Sequence, residues 1–209
     1  MTSRISIARF GLLVSLLWLL TACTSSPAPT VPSAIGATST SPTGGTTAKM
    51  LEQRPLHIPT IEVGRFCPTT PVKRASADFG LAQGNGPAYA TIGAEKISPH
   101  AVFDYADAEH FGTDVQANRG WGGQKVLWFI NPSYTGLILV RGRQLDGTHQ
   151  VRFNQLDQQL LLDSSMGGTP WPNFPSYTRL QAPGCYAYQV DGSSFSYLII
   201  FQAIVNNNA

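Results

Sequence analysis

Cys185–Val190 reads CYAYQV, Asp191-Gly192-Ser193-Ser194 follows, and Phe195–Ile204 reads FSYLIIFQAI. Side chains of a strand point alternately to its two faces. On the first run Tyr186, Tyr188 and Val190 therefore share one face, and Cys185, Ala187 and Gln189 share the other. Asp-Gly between two β-rich runs is a strong hairpin signal. Pro183-Gly184 just ahead marks where the first arm begins. The C-terminal quarter of the chain is thus expected to be a long, apolar β-hairpin.

Working outward, the same signals recur. Leu56–Val63 holds β-formers around Pro59, which confines it to a sheet edge. Ala88–Ile92 follows an Asn85-Gly86 turn. Val126–Ile130 (VLWFI) is a buried strand, with Trp128 in the core. Gly136–Arg141 (GLILVR), Gln150–Phe153, Leu160–Leu162 and Ser176–Leu180 complete the series. Arg141 and Arg143 fall on a solvated face or strand end. Short strands separated by Gly-rich turns point to a mostly β fold, a single antiparallel β-sandwich over residues 50–209. The one helix expected is Phe103–Phe111 (FDYADAEHF).

One stretch carries a resemblance. Leu180, Pro183-Gly184-Cys185, Tyr186, Tyr188, Val190 and Asp191-Gly192 are similar to the final hairpin of bacterial immunoglobulin-like domains. From Trp121 onward, Pro132-Ser-Tyr134-Thr-Gly136, Arg141-Gly142-Arg143-Gln-Leu145-Asp146-Gly147 and Val151-Arg152-Phe153 resemble secreted and lipoprotein sequences of soil bacteria. The resemblance implies an Ig-like architecture and assigns no function. The chain departs from antibody-type domains in having no Tyr two residues before Cys185.

The N-terminus gives an address. Arg4 and Arg9 precede an uncharged run, Phe10–Leu20 (FGLLVSLLWLL), and small residues follow. That is a secretory signal over residues 1–22. Its apolar core is shorter than the roughly 20 residues a membrane-spanning helix needs. Leu20-Thr21-Ala22-Cys23 resembles the bacterial lipobox. The resemblance implies diacylglycerol on the Cys23 thiol, cleavage before Cys23 and an extracytoplasmic membrane anchor. The alternative is an ordinary signal with a coincidental cysteine. Each buried acyl CH₂ contributes about 0.8 kcal/mol, so two or three chains hold far better than one. Residues 24–49 are Ser, Thr, Pro, Gly and Ala almost throughout, with Lys49 the only charge. Such a segment buries too little apolar surface to offset its ordering entropy, and it reads as a disordered tether.

Of 14 basic and 12 acidic residues, Arg4 and Arg9 leave with the signal, so the mature chain is near neutral. This argues against nucleic acid as a partner. With Cys23 lipidated, Cys67 and Cys185 remain. An even pair in an exported chain reads as a disulfide; free thiols or metal ligands are the alternatives.

The chemistry-bearing residues form two groups. On the expected helix, Asp104, Asp107 and His110 recur at i, i+3 and would lie near one face, with Glu109 beside them and His100 upstream. Such a set would suit a divalent metal; an ordinary solvated helix face is the other reading. The second group is aromatic: Trp121 in a Gly-rich segment, and Trp171 and Phe174 within Pro170-Trp171-Pro172-Asn173-Phe174-Pro175. Loop tryptophans serve as stacking platforms or interface anchors, or fold inward to plug the core. No P-loop, dinucleotide fingerprint, HExxH, EF-hand loop or nucleophile elbow is present, and no cofactor is implied. The expectation is a non-catalytic, lipid-anchored envelope module that binds a wall glycan or an envelope protein. A structural component of an envelope complex, or a metal-dependent or hydrolytic enzyme using His100–His110, are the alternatives.

Overall fold

A computed structural model describes residues 46–77, 80–93, 100–110, 114, 116–168 and 170–206. The signal, Cys23 and the tether up to residue 45 lie outside the described residues. Thr47 caps a short helix, α1 (Ala48–Glu52), whose Leu51 is buried. Lys49, read from composition as tether, thus belongs to an ordered turn.

Among the described residues eleven strands follow: β1 (Lys73–Ser76), β2 (Gly80–Ala82), β3 (Ala88–Thr91), β4 (Val102–Tyr105), β5 (Gly122–Ile130), β6 (Leu137–Gln144), β7 (Arg152–Phe153), β8 (Leu160–Asp163), β9 (Asn173–Leu180), β10 (Gly184–Asp191) and β11 (Ser196–Val205). β1 and β2 form a small hairpin. The others make a five-stranded sheet, ordered β4-β11-β10-β6-β8, and a four-stranded sheet, ordered β3-β5-β9-β7. The fold is mostly β, and its two main sheets bury one common core, an arrangement consistent with a β-sandwich.

Alternation builds that core. Val126, Trp128 and Ile130 of β5 meet Tyr186, Tyr188 and Val190 of β10, with Ile199, Phe201 and Phe153 among them. Trp128 stands edge-on to Tyr188 at 5.3 Å, and the Tyr188 hydroxyl meets Thr178 Oγ1 at 2.7 Å across the sheets. Burial raises the Tyr188 pKa, so the phenol stays neutral. The C-terminal hairpin pairs Gly184 with Ala203 through Asp191 with Ser196, and its faces are those the sequence pattern requires.

The other face of the five-stranded sheet is roofed by the chain itself. Ile58 and Cys67 lie on Leu145, Cys185 and Ala187. Small side chains on the outer side of β10 let this strap approach. Cys67 and Cys185 are joined, with Cα atoms 5.5 Å apart. Gln189 accepts from His57 N at 2.6 Å and donates to the Pro55 carbonyl at 2.9 Å. Arg143 donates to the Ile58 carbonyl. The strap is therefore fixed by backbone bonds to sheet side chains.

Four expectations are corrected. Leu56–Val63 forms no strand; it is this irregular strap, held by Gln189 and Arg143 in place of a ladder. The described part of the expected helix, Phe103–His110, is not helical, and Phe111 lies outside the described residues. Val102–Tyr105 is strand β4, because alternating Phe103 and Tyr105 fill the core, and turn residues follow. The sheet is not wholly antiparallel, since β4 runs parallel to β11; the two are remote in sequence, so no hairpin dictates their direction. Arg141 is not solvated: it pairs with fully buried Asp191 at 2.8 Å.

Candidate ligand-binding face

The expected metal cluster depended on the helix at 103–111. On strand β4, Asp104 faces away from Phe103 and Tyr105, and Asn206 Nδ2 donates to it at 3.3 Å. Asp107 and His110 are brought together, at 2.7 Å. Asp107 also accepts from the Glu109 and His110 amides, so it organises a turn. The hydrogen bond with His110 is the main reason its carboxyl is held below the usual range. His100 is exposed and meets Thr69 Oγ1 at 3.2 Å through Nδ1. No group of three His, Cys, Asp or Glu converges enough to hold a metal ion among the described residues. The i, i+3 spacing loses its meaning once the period is two.

The tryptophans divide differently. Trp128 is core, as the apolar run requires. Trp121 is half-buried just before β5, its amide donating to the Gln116 carbonyl at 3.2 Å. Phe174 is partly buried against the core. Trp171 is half-buried and stands edge-on to Phe129 at 5.7 Å. Phe129 lies outside the core cluster and stacks on Tyr89 at 5.4 Å. These three rings therefore belong to the outer side of the four-stranded sheet. The same proline-rich segment lines a cleft of about 540 Å³ with Pro170 and Pro172, opposite Tyr134 and Asp163. Hydrogen bonds from the Ser165 hydroxyl, then its amide, keep the Asp163 carboxyl below the usual range.

Strand register extends the outer face. Core-facing Val126 and Trp128 leave Lys125, Leu127 and Phe129 pointing outward, and cross-strand pairing sets Lys125 beside Tyr177 and Leu127 beside Pro175. Tyr177 is 39% exposed. Its ring lies 4.6 Å from the Arg179 guanidinium. Arg179 is almost fully buried; it pairs with Asp114 at 3.0 Å and donates through Nε to the Asn154 carbonyl at 3.2 Å. Burial raises the Asp114 pKa, but the Arg179 hydrogen bond and charge outweigh it and the carboxyl sits low. Arg152 lies beside Arg179 across the β7–β9 pair, on the side opposite core residue Phe153.

No protein family, curated protein or solved structure matches this chain. What the face can do follows from its chemistry. Exposed Tyr177 and half-buried Trp171 mark the two ends of this outer side, Phe129 is fully buried against Trp171, and polar groups stand beside them. Sequence reasoning found Trp171 because proline surrounds it. It missed Tyr177, Lys125 and Arg152, which are ordinary strand residues until register puts them on one side.

Proposed function

We propose that this protein is a lipid-anchored, extracytoplasmic module of the bacterial envelope, which binds its ligand without chemistry on the outer face of the four-stranded sheet. The supporting observation is half-buried Trp171, held edge-on by buried Phe129 at 5.7 Å at one end of that face. A rigid ring offers large contact area at little entropic cost, which suits non-covalent capture. The anchor rests on the lipobox at Leu20–Cys23 and the secretory pattern before it. No helix among the described residues is long and apolar enough to cross a membrane.

In this reading the domain is Ig-like in the broad sense. The Tyr186 hydroxyl donates back to the Ala182 carbonyl at 2.8 Å, comparable to the tyrosine corner of such domains. The parallel β4 and a disulfide lying outside the shared core are its departures.

Two measurements test the proposal. Cys23→Ala should leave an uncut, unacylated precursor; normal processing and acyl labelling would sink the anchor. Acylated full-length protein in vesicles should retain solubilised wall polysaccharide, and Trp171→Ala should reduce that retention several-fold. Equal retention by the variant would remove the binding face. A structural role in an envelope complex has one observation in its favour. Val63 and Phe66, on the strap just before Cys67, are 85% and 81% exposed and would suit a protein partner.

A further inference from the structure

We infer that the outer face of the four-stranded sheet is built for an acidic polysaccharide, bound along β5 and β9 with Tyr177 as its central platform. This rests on the binding face proposed above and names its ligand class. Three observations carry it.

The first is the charge of the face. Strands β3, β5, β7 and β9 turn outward Tyr89, Thr91, Lys125, Leu127, Phe129, Arg152, Asn173, Pro175, Tyr177 and Arg179. That set contains three cations and no carboxylate. Asp114, which reaches it from a loop, is paired with Arg179.

The second is that Lys125 and Arg152 have no acidic partner within 4 Å among the described residues, unlike Arg141 and Arg179. Arg152 is also set directly across from Arg179. Like charges facing one another across strands are unfavourable. Asp114 already offsets the Arg179 charge, so Lys125 and Arg152 are the cations left to a bound anion.

The third is Tyr177 itself. Cross-strand pairing puts Lys125 beside it, and Arg152 is one position further along on the neighbouring strand. The guanidinium of Arg179 packs on the ring, and the ring retains substantial exposure. An aromatic platform with a free cation on either side matches a sugar ring that carries a carboxylate or phosphate. From Asn173 to Tyr177 the exposed side of β9 runs about 13–14 Å at a strand rise of about 3.4 Å per residue, enough for a short run of sugar units.

The experiment uses the acylated full-length protein in neutral lipid vesicles, with three probes of similar length: a uronic-acid polymer, a neutral glucan and a single-stranded nucleic acid. The uronic-acid polymer should bind best, and its affinity should fall as salt rises. Lys125→Gln with Arg152→Gln should weaken it about tenfold, Tyr177→Ala at least as much, while Tyr177→Phe retains binding. Unaltered far-ultraviolet circular dichroism and an intact disulfide show that each variant is folded. Glucan bound as tightly as the uronic-acid polymer, with the charge variant unaffected, would overturn the acidic class and leave the binding face standing. Tighter binding of nucleic acid would overturn the polysaccharide. No binding of any probe, with Trp171→Ala also silent on wall polysaccharide, would overturn the face and this inference together.

Discussion

The two main sheets treat their outer faces in opposite ways. The five-stranded sheet is covered by the strap from Arg54 to Thr70. Its outward side chains are small, as at Cys185 and Ala187, or polar and hydrogen-bonded, as at Gln189, Asp191, Arg143 and, through its terminal nitrogens, Arg141. The four-stranded sheet carries Tyr177, Lys125 and Arg152 outward, while Phe129 and Arg179 on the same side are buried against Trp171 and Asp114. A buried polar group must be hydrogen-bonded or it costs stability, whereas a solvent-facing ring or cation costs little. The contrast teaches that one face serves the fold, while the other leaves Tyr177, Lys125 and Arg152 for the ligand proposed above. Changes on the roofed face should therefore register as stability. Changes on the open face should register as binding.

The largest expected effect comes from releasing the roof. The Cys67–Cys185 bond closes a loop of 118 residues. The chain-entropy argument assigns such a link about 4–5 kcal/mol. Cys67→Ala with Cys185→Ala should lower urea-unfolding stability by roughly 3–5 kcal/mol. It should also raise hydrogen exchange at Ile61 and Ile200, whose amides bond to Leu145 O and Thr70 Oγ1 across the strap. Polysaccharide retention should be unchanged below the unfolding transition. Lost retention in still-folded protein would show that the two faces are coupled and would break the contrast.

Asp191→Asn comes next. Asp191 is fully buried between Arg141 and the Gln189 amide. Removing its charge leaves a largely buried guanidinium with a weaker acceptor, at a cost of about 2–3 kcal/mol. Equilibrium denaturation checks this, and a change below about 0.5 kcal/mol would mean that solvent already satisfies Arg141.

These two residues also mark how much was legible in the sequence. The final hairpin, the inward Tyr186, Tyr188 and Val190, and the Cys67–Cys185 pairing were readable, because alternation and cysteine count are local or arithmetic signals. Strand β4 was not. FDYADAEHF has an acidic helical look, and only the β11 edge beside it makes Phe103 and Tyr105 a strand pair. The strap was mistaken for an edge strand because its β-formers signal extended backbone, and nothing local says that side chains of β6 and β10 will supply its hydrogen bonds. Asp191 was read as a turn residue because the Asp-Gly signal says nothing about which face its carboxylate takes. On the open face, Trp171 stood out among prolines. Tyr177, Lys125 and Arg152 became a group only through register, which no single strand encodes.

Asp114→Asn probes the seam where a loop touches the open face, and its stability effect should be the smallest. The Asp114 carboxyl is held below the usual range: burial opposes ionisation, but the hydrogen bond and charge of Arg179 prevail. A carboxylate with a depressed folded-state pKa stabilises the fold above its unfolded value of about 3.9. That contribution is lost as pH falls through the lower folded value. Asp114 is partly exposed, so screening limits the effect to about 1 kcal/mol or less at neutral pH. In Asp114→Asn, stability should therefore drop slightly at neutral pH and decline less steeply between about pH 4 and the lower folded value. Denaturation followed from pH 7 downward measures both. The same substitution removes the carboxylate charge paired with Arg179 and so makes the face beside Tyr177 more positive. Retention of an acidic polymer should then hold or rise while stability falls slightly. A loss of both would mean that Asp114 positions the face rather than merely neutralising it.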